Sequence, residues 1–419
     1  MTMLIYNLVW SLGMPLLAPM AFLGLKSRLA ERLGLSLPDP CIQEGSIWVH
    51  ALSVGEVISA VPMIQSLRCS KPDRQIVLSV ATKTGMKIAR ERLLSDVVRL
   101  FYMPLDLWWY GEALISRLKP SVFVLVETDI WPGILWQLRR KGIPCFLVNG
   151  RVSPKTYKNY ARFPRAAKWV FRNFSKCLMQ SQGDRERLLR TAGRASDVLV
   201  TGNIKFDRDW KLLDNSEKLY LLRLFGFDSD DPVWVAGSTH RGEDKIILEV
   251  FAELLKNFPR LRLVLAPRLV EEAGFIIKAA REMNIKAALR SHLPESGLDR
   301  RVVVIDTVGE LERIYGLAQV SFVGGSLVPF GGHNLLEPAS HGSVVIFGPY
   351  THNFEEMTEM LLTAGAGVSV KDKTELHWVM MDLLADHERC IRIGKKARNL
   401  VTANKGALER VVGIISSCL

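Results

Sequence analysis

The stretch FVGGSLVPFGGHNLLEPAS, Phe322 to Ser340, places glycines at 324, 325, 331 and 332 between an apolar run and His333, Asn334 and Glu337. Glycine lets backbone N–H groups approach an anion closely, and a helix N-terminus adds roughly half a positive charge, so the pattern suits a phosphate. Glu337, about one turn into the following helix, is placed to accept hydrogen bonds from ribose hydroxyls. A tight strand-to-helix turn capped by Asn334 would leave the same pattern. The spacing fits neither GxGxxG nor GxxxxGK[ST], which argues against a dinucleotide fingerprint and a P-loop.

Other polar clusters recur along the chain. In HALSVGE (50–56), Glu56 falls in the first turn of a helix patterned by Val57, Val61, Ile64 and Leu67. A carboxylate there either complements the helix dipole or serves as general base toward an acceptor hydroxyl. ETDIWP (127–132) sets two acids beside Trp131. Like charges that close raise one pKa for acid–base work, or they face solvent. NGRVS (149–153) and TGNIKFD (201–207) each offer a cation, Arg151 and Lys205. Downstream come AGSTHRGE (236–243), LAPR (265–268) and DTVGEL (306–311). Ser238 with Thr239 would cap a helix or hold a phosphate, and Arg268 would pair with an anionic ligand. His240 and His333 are too isolated in the sequence to suggest a metal and are expected as hydrogen-bonded structural histidines.

Each cluster ends or follows an apolar run. SIWVHAL (46–52), QIVLSVA (75–81), SVFVLVE (121–127), IPCFLVN (143–149) and DVLVTG (197–202) alternate with amphipathic stretches. Continuous runs of this kind read as parallel strands covered on both faces. A polar segment, 207–232, interrupts the rhythm, and a second series follows: VWVAGS (233–238), LRLVLAP (261–267), RVVVID (301–306), AQVSFVGG (318–325) and SVVIFGP (343–349). Two α/β domains in tandem are expected, with the boundary in the polar segment and a cleft between the domains as the ligand site.

A length of 419 residues exceeds one usual core, and 48% hydrophobic with 23% charged residues excludes a disordered or fibrous chain. The six cysteines form no CxxC pair, which argues against a zinc site or a disulfide framework and favours a reducing compartment. A net charge of +12 favours an anionic partner. With the cations spread rather than blocked, an anionic membrane or a phosphorylated substrate is expected rather than nucleic acid.

Residues 1–25 carry no charge, and Lys26, Arg28 and Arg32 follow. A helix of that length spans about 35 Å at about 1.5 Å per residue, enough for a hydrocarbon core of about 30 Å. Cations after the apolar run, not before it, argue against a cleaved signal peptide and hold the rest of the chain in the cytoplasm. Gly13, Pro15 and Pro19 leave an interfacial anchor open beside a spanning helix.

HALSVGE, ETDIWP, NGRVS, TGNIKFD, AGSTH, LAPR and above all GGSLVPFGGHNLLEPA, in this order, resemble the Kdo transferases over nearly the whole chain. These membrane-associated enzymes of Gram-negative bacteria transfer 3-deoxy-D-manno-octulosonic acid (Kdo) to a lipid A precursor. The resemblance implies an α/β, GT-B fold of two Rossmann-like domains: a membrane anchor at 1–25, an acceptor domain at 26–210 and a CMP-Kdo domain at 211–419, whose last helix packs back on the first. It implies Glu56 as catalytic base and Asp129 as a second acid, where the family more usually has glutamate. Lys205, Ser238, Arg268, Gly309, Glu310, Gly331, Gly332, Asn334 and Glu337 would hold the donor, and Ser53, Gly55 and Arg151 the acceptor. Leu52 and Gly133 stand where the family often has alanine and asparagine. Neither a metal nor a further cofactor is implied. The expected place is the cytoplasmic face of the bacterial inner membrane, with CMP-Kdo, lipid A precursor and membrane lipids as partners. A GT-B enzyme using a UDP-sugar and a non-catalytic lipid- or nucleotide-binding protein are the alternatives.

Overall fold

Runs of valine, isoleucine and leucine without polar alternation need cover on both faces, and the strands they form at the centre of each sheet are buried. The first series comprises β1 (Ser46–Ala51), β2 (Ile76–Val80), the half-buried β3 (Arg99–Tyr102), β4 (Pro120–Val126), β5 (Cys145–Gly150), β6 (Lys176–Met179) and the largely exposed β7 (Asp197–Val200). The second series comprises β8 (Val233–Thr239), β9 (Arg262–Pro267), β10 (Ala287–Leu289), β11 (Val302–Val304), β12 (Val320–Val323), β13 (Val344–Phe347) and β14 (Gly367–Ser369). The computed structural model describes Tyr6 and residues 42–127, 129–193, 197–293 and 300–419. It divides into two units, Met1–Arg208 with Asn404–Leu419, and Asp209–Ala403.

Each unit holds one seven-stranded sheet whose pairings are all parallel. The orders are β3-β2-β1-β4-β5-β6-β7 and β10-β11-β9-β8-β12-β13-β14. In both, the direction of growth reverses beside the first strand, between β1 and β4 and between β8 and β12. Loops leaving the carboxyl ends on either side of such a reversal diverge, and the opening is where α/β sheets take ligands. Register places His50 opposite Leu125 and Gly237 opposite Val323. HALSVGE therefore emerges beside ETDIWP, and AGSTH beside FVGGS.

Packing fixes these edges. Trp48 of β1 is fully buried and meets Phe123 of β4 edge-to-face at 4.7 Å. The helix Val54–Ser70 buries Val57, Ala60, Ile64 and Leu67 against the first sheet. Ala407, Val411 and Ile415 of the chain's last helix, Ala407–Ser416, join the same core. Asp207, the last residue of TGNIKFD, secures that helix by accepting the N–H groups of Gly406 (2.5 Å) and Leu408 (2.7 Å).

The polar segment 207–232 is not a plain interruption: it contains the helix Asn215–Phe225, opened by a capping box between Asp214 and Glu217. The anchor expected at 1–25 lies outside the described residues except for Tyr6, whose hydroxyl donates to Asp106 Oδ2 at 2.6 Å. Among the described residues no helix is long and apolar enough to cross a membrane.

Loss of the Asp207 cap exposes two helix N–H groups. Asp207→Ala should lower stability by about 1–2 kcal/mol, read as a lower urea midpoint with an unchanged slope; an unchanged midpoint rejects the capping role.

Candidate active site

At the β1/β4 reversal the chain gathers acids. Glu56 lies in the first turn of Val54–Ser70 and is only 6% exposed. The one hydrogen bond described to its carboxylate comes from the Leu52 N–H, 2.5 Å from Oε2. Burial, opposed by that N–H and reinforced by the charges of Glu127 and Asp129, raises its pKa from 4.5 to about 7. A carboxyl poised there exchanges a proton readily near neutral pH.

Asp129 is held by His50 Nε2 and by Trp131 Nε1, each 2.9 Å from Oδ2. His50 is wholly buried, and its Nδ1 meets Ser79 Oγ at 2.9 Å, which in turn accepts Trp48 Nε1–H at 2.9 Å. The tautomer with the proton on Nε2 satisfies this chain of donors from Trp48 through Ser79 and His50 to Asp129. Glu127 follows β4 in left-handed backbone, φ 64°. It pairs with Lys205 Nζ at 2.7 Å and accepts from Asn149 Nδ2 at 3.3 Å. Asn149, itself at φ 56°, accepts the Ile204 N–H through Oδ1 at 3.1 Å and thereby holds the loop that carries Lys205. Ser53 occupies the cap position of Val54–Ser70 without a side-chain bond, Gly55 O accepts from Ser59 Oγ, and Arg151 follows β5.

In the second unit, Gly324 allows β12 to end against β8: a Cβ there would lie 2.4 Å from the Ser238 carbonyl oxygen. Ser238 is left-handed at φ 56°, and neither it nor Thr239 caps a helix. The cap position belongs to Gly242, and the Thr239 hydroxyl donates instead to Asp244. Arg268 is exposed, and its N–H donates to the Thr239 carbonyl at 2.8 Å. Glu310, after the left-handed Gly309, accepts from Arg290 at 2.9 Å and from Thr307 at 2.6 Å.

The glycine loop differs from the bare anion cradle expected of it. The N–H groups of Gly325, Ser326 and Leu327 donate to Glu243, and Gly332 N–H donates to Gly325 O. Asn334 Oδ1 accepts the Leu336 N–H, and its Nδ2 reaches Glu337 Oε1 at 3.1 Å. The helix begins at Leu336, so Glu337 stands in its first turn, not a turn inside. Gly331 and Gly332 both need left-handed backbone, at φ 95° and 77°. His240 and His333, distant in sequence, meet Nε2 to Nε2 at 2.9 Å. Burial, with the charges of Arg268 and His240, lowers the His333 pKa to about 4, so it is neutral at pH 7. No group of three or more metal-ligating side chains occurs among the described residues.

A profile of the 3-deoxy-D-manno-octulosonic-acid transferase (kdotransferase) family matches residues 27–208. The transferase of that name from Haemophilus influenzae is 32% identical over 397 residues, covering 94% of this chain and 92% of its own. The chain belongs to the Kdo transferase family. The Kdo transferase of Aquifex aeolicus is 31% identical over 85% of this chain and 91% of its own. Among solved structures, the UDP-GlcNAc 2-epimerase of Neisseria meningitidis aligns with a TM-score of 0.62 at 16% identity, over 89% of this chain and all of that one. That likeness is one of fold. The family places its profile over HALSVGE, ETDIWP, NGRVS and TGNIKFD, the segments that build the acid cluster.

The candidate residues fall into two gatherings, one in each unit. Glu56, Asp129 and Lys205 come together in the first; in the second, Ser238 lies at the end of β8, Arg268 follows β9, and Gly331, Gly332, Asn334 and Glu337 lie on the chain that follows β12. His50, Asn149 and Glu243 were not picked out from the sequence, although each sits inside a motif that was, and Glu127 was picked out only as one of the two acids of ETDIWP.

Because the native state binds the Glu56 proton more tightly than the unfolded chain does, this group costs stability progressively as pH rises from 4.5 to about 7. The full cost persists above that window. Glu56→Gln should therefore be more stable than the wild type at pH 8, by up to about 3 kcal/mol, with the gap closing by pH 4. Parallel stability-versus-pH curves for the two proteins would reject a raised Glu56 pKa.

Proposed function

We propose that the chain is an inverting GT-B glycosyltransferase that moves Kdo from CMP-Kdo to a lipid A precursor at the cytoplasmic face of the bacterial inner membrane. Family membership supports the Kdo transfer, and the observation that carries the mechanism is a buried carboxyl at the β1/β4 reversal with a pKa of about 7. Glu56 takes the proton of an acceptor sugar hydroxyl as that oxygen bonds to the anomeric carbon of Kdo. The bond from that carbon to the phosphate oxygen breaks, and its electron pair leaves with CMP. One displacement inverts the centre.

The loops of the second unit hold the nucleotide in this reading. Arg268 and Ser238 meet the phosphate, Glu337 the ribose, and the Gly309–Glu310 turn and the Gly331–Asn334 segment complete the site. Fixed cations, Arg268 foremost, stabilise the charge that grows on the departing CMP. Lys205 draws the anionic groups of the donor, while Ser53, Gly55 and Arg151 face the acceptor. Asp129, locked by His50 and Trp131, adds its negative charge to burial and to Glu127 in keeping the Glu56 pKa high. Residues 1–25 tie the enzyme to the bilayer that holds its amphiphilic acceptor, which turns a three-dimensional search into a surface one.

Incubation of the purified chain with CMP-Kdo and a tetra-acylated lipid A precursor should release CMP and add the mass of Kdo to the lipid. Stronger competition by UDP than by CMP, or no lipid product, would reject the assignment. Turnover should rise with pH to a plateau above about 7, as Glu56 loses its proton. Glu56→Gln should cut it by roughly 100-fold or more while CMP still binds; near-normal turnover in that variant removes Glu56 as the base.

A further inference from the structure

The loops that leave β8 and β12 are tied by one side chain. Glu243, at the start of the helix Glu243–Leu254, is 0% exposed. Its Oε2 accepts the N–H groups of His240 (2.9 Å) and Gly325 (2.7 Å), and its Oε1 accepts those of Ser326 (3.0 Å) and Leu327 (2.8 Å). Four main-chain donors thus fill the roughly four lone-pair positions of one carboxylate. Successive N–H groups turned to one point form the kind of nest that elsewhere binds phosphate. Here the anion is the protein's own.

Further bonds extend this arrangement toward the rest of the loop. Ser326 Oγ accepts the Gly348 N–H at 2.8 Å, and Gly332 N–H returns to Gly325 O at 2.8 Å. His240, whose N–H ends on Glu243, stacks its ring against His333 at 5.1 Å between centroids and against the 57% exposed Phe330 at 4.0 Å. A shift of Glu243 would therefore be felt at Gly332, His333 and the neighbouring Asn334.

We propose that Glu243 is a positioning residue of the nucleotide site: it fills the nest of the glycine-rich loop with a built-in carboxylate, and thereby fixes the Gly325–Asn334 segment in the shape that meets the donor. The proposal rests on the donor reading given above and sharpens it. The amides of Gly325, Ser326 and Leu327 are occupied, so the donor phosphate is held by other groups of these loops, Arg268 and Ser238 foremost. A neutral amide cannot replace the carboxylate, because a glutamine would turn an NH2 toward two of the four N–H groups.

The test uses the full chain with CMP-Kdo varied at fixed acceptor, alongside circular dichroism and thermal unfolding. Glu243→Gln should remain folded and raise the donor KM about tenfold or more, with the acceptor KM unchanged. Glu243→Ala lacks a CH2COO– fragment, so added acetate should refill the nest and bring the donor KM back toward the wild-type value. Chloride at equal ionic strength should not. A folded Glu243→Gln with wild-type donor KM overturns the proposal, as does a defect confined to thermal stability. Failure of both variants to fold makes Glu243 a folding requirement and overturns its positioning role. Failure of the wild type to bind CMP is a different result: it sinks the donor reading and takes this proposal with it.

Discussion

A carboxylate that has left water must be met by donors or give up its charge, since removing the ion from solvent costs several kcal/mol even after relaxation. The donors that meet each of several buried acids of this chain differ in number. Glu243 has four N–H groups. Asp106 has the N–H groups of Gly133 (2.6 Å) and Ile134 (2.8 Å) and the Tyr6 hydroxyl. Asp184 accepts from Val152 N–H at 2.7 Å and Ser181 Oγ at 2.6 Å. Each of these acids joins segments far apart in sequence and splints a loop. Glu56 is as deeply placed, yet one N–H is described to it, and its neighbours Glu127 and Asp129 are acids. An under-partnered carboxyl keeps its proton up to about pH 7 and can exchange it. Burial raises the pKa of Asp106 as well, three donors notwithstanding, so what sets Glu56 apart is a lone described donor combined with two acids close by.

The same edges hold backbone that side chains rarely adopt. Glu127, Asn149 and Ser238 are left-handed, and each stands at or near the carboxyl end of β4, β5 or β8. Such conformations cost of order 1–3 kcal/mol and persist where surroundings over-determine them. The surroundings are visible: Glu127 is gripped by Lys205 and Asn149, and Ser238 lies under the close approach of Gly324. Strain here aims carboxylates and carbonyls past the strand ends instead of into the sheet.

The strands that carry motifs were legible in the sequence because each lies within a run of mostly apolar residues bounded by its motif. SIWVHAL contains β1 and VWVAGS nearly all of β8. RLFY, KCLM, AAL and GVS were not read as strands: β3, β6, β10 and β14 span only three or four residues each, some with charges, and leave no periodic trace. DRDWKLLDNSEKLYLLRLFGF looked like an interruption because charged residues surround the short apolar face, Leu221, Leu222 and Phe225, by which its helix joins the core. Motif residues at strand ends were legible for the same reason as the strands, but their partners were not. Nothing in the spacing of Glu243 and Gly325, or of His50 and Asp129, says that they touch; strand order brings them together.

That distinction bears on how the nucleotide's charge is met. Glycines after a strand suggest an empty cradle, and in this chain the cradle is filled by Glu243, whose charge is spent on main-chain N–H groups. His333 adds no positive charge at neutral pH, because burial and Arg268 hold its pKa near 4, and its Nε2 is engaged with His240. Arg268 is exposed and has no acid among its described contacts. A phosphate arriving at these loops would find its positive charge in a guanidinium, able to bind two oxygens at once and borne by a residue whose main-chain N–H the Thr239 carbonyl holds, rather than in the peptide dipoles the glycines first suggest. The glycines then serve shape, by letting β12 close on β8, and the contact between His240 and His333 ties the glycine loop to the segment that follows β8.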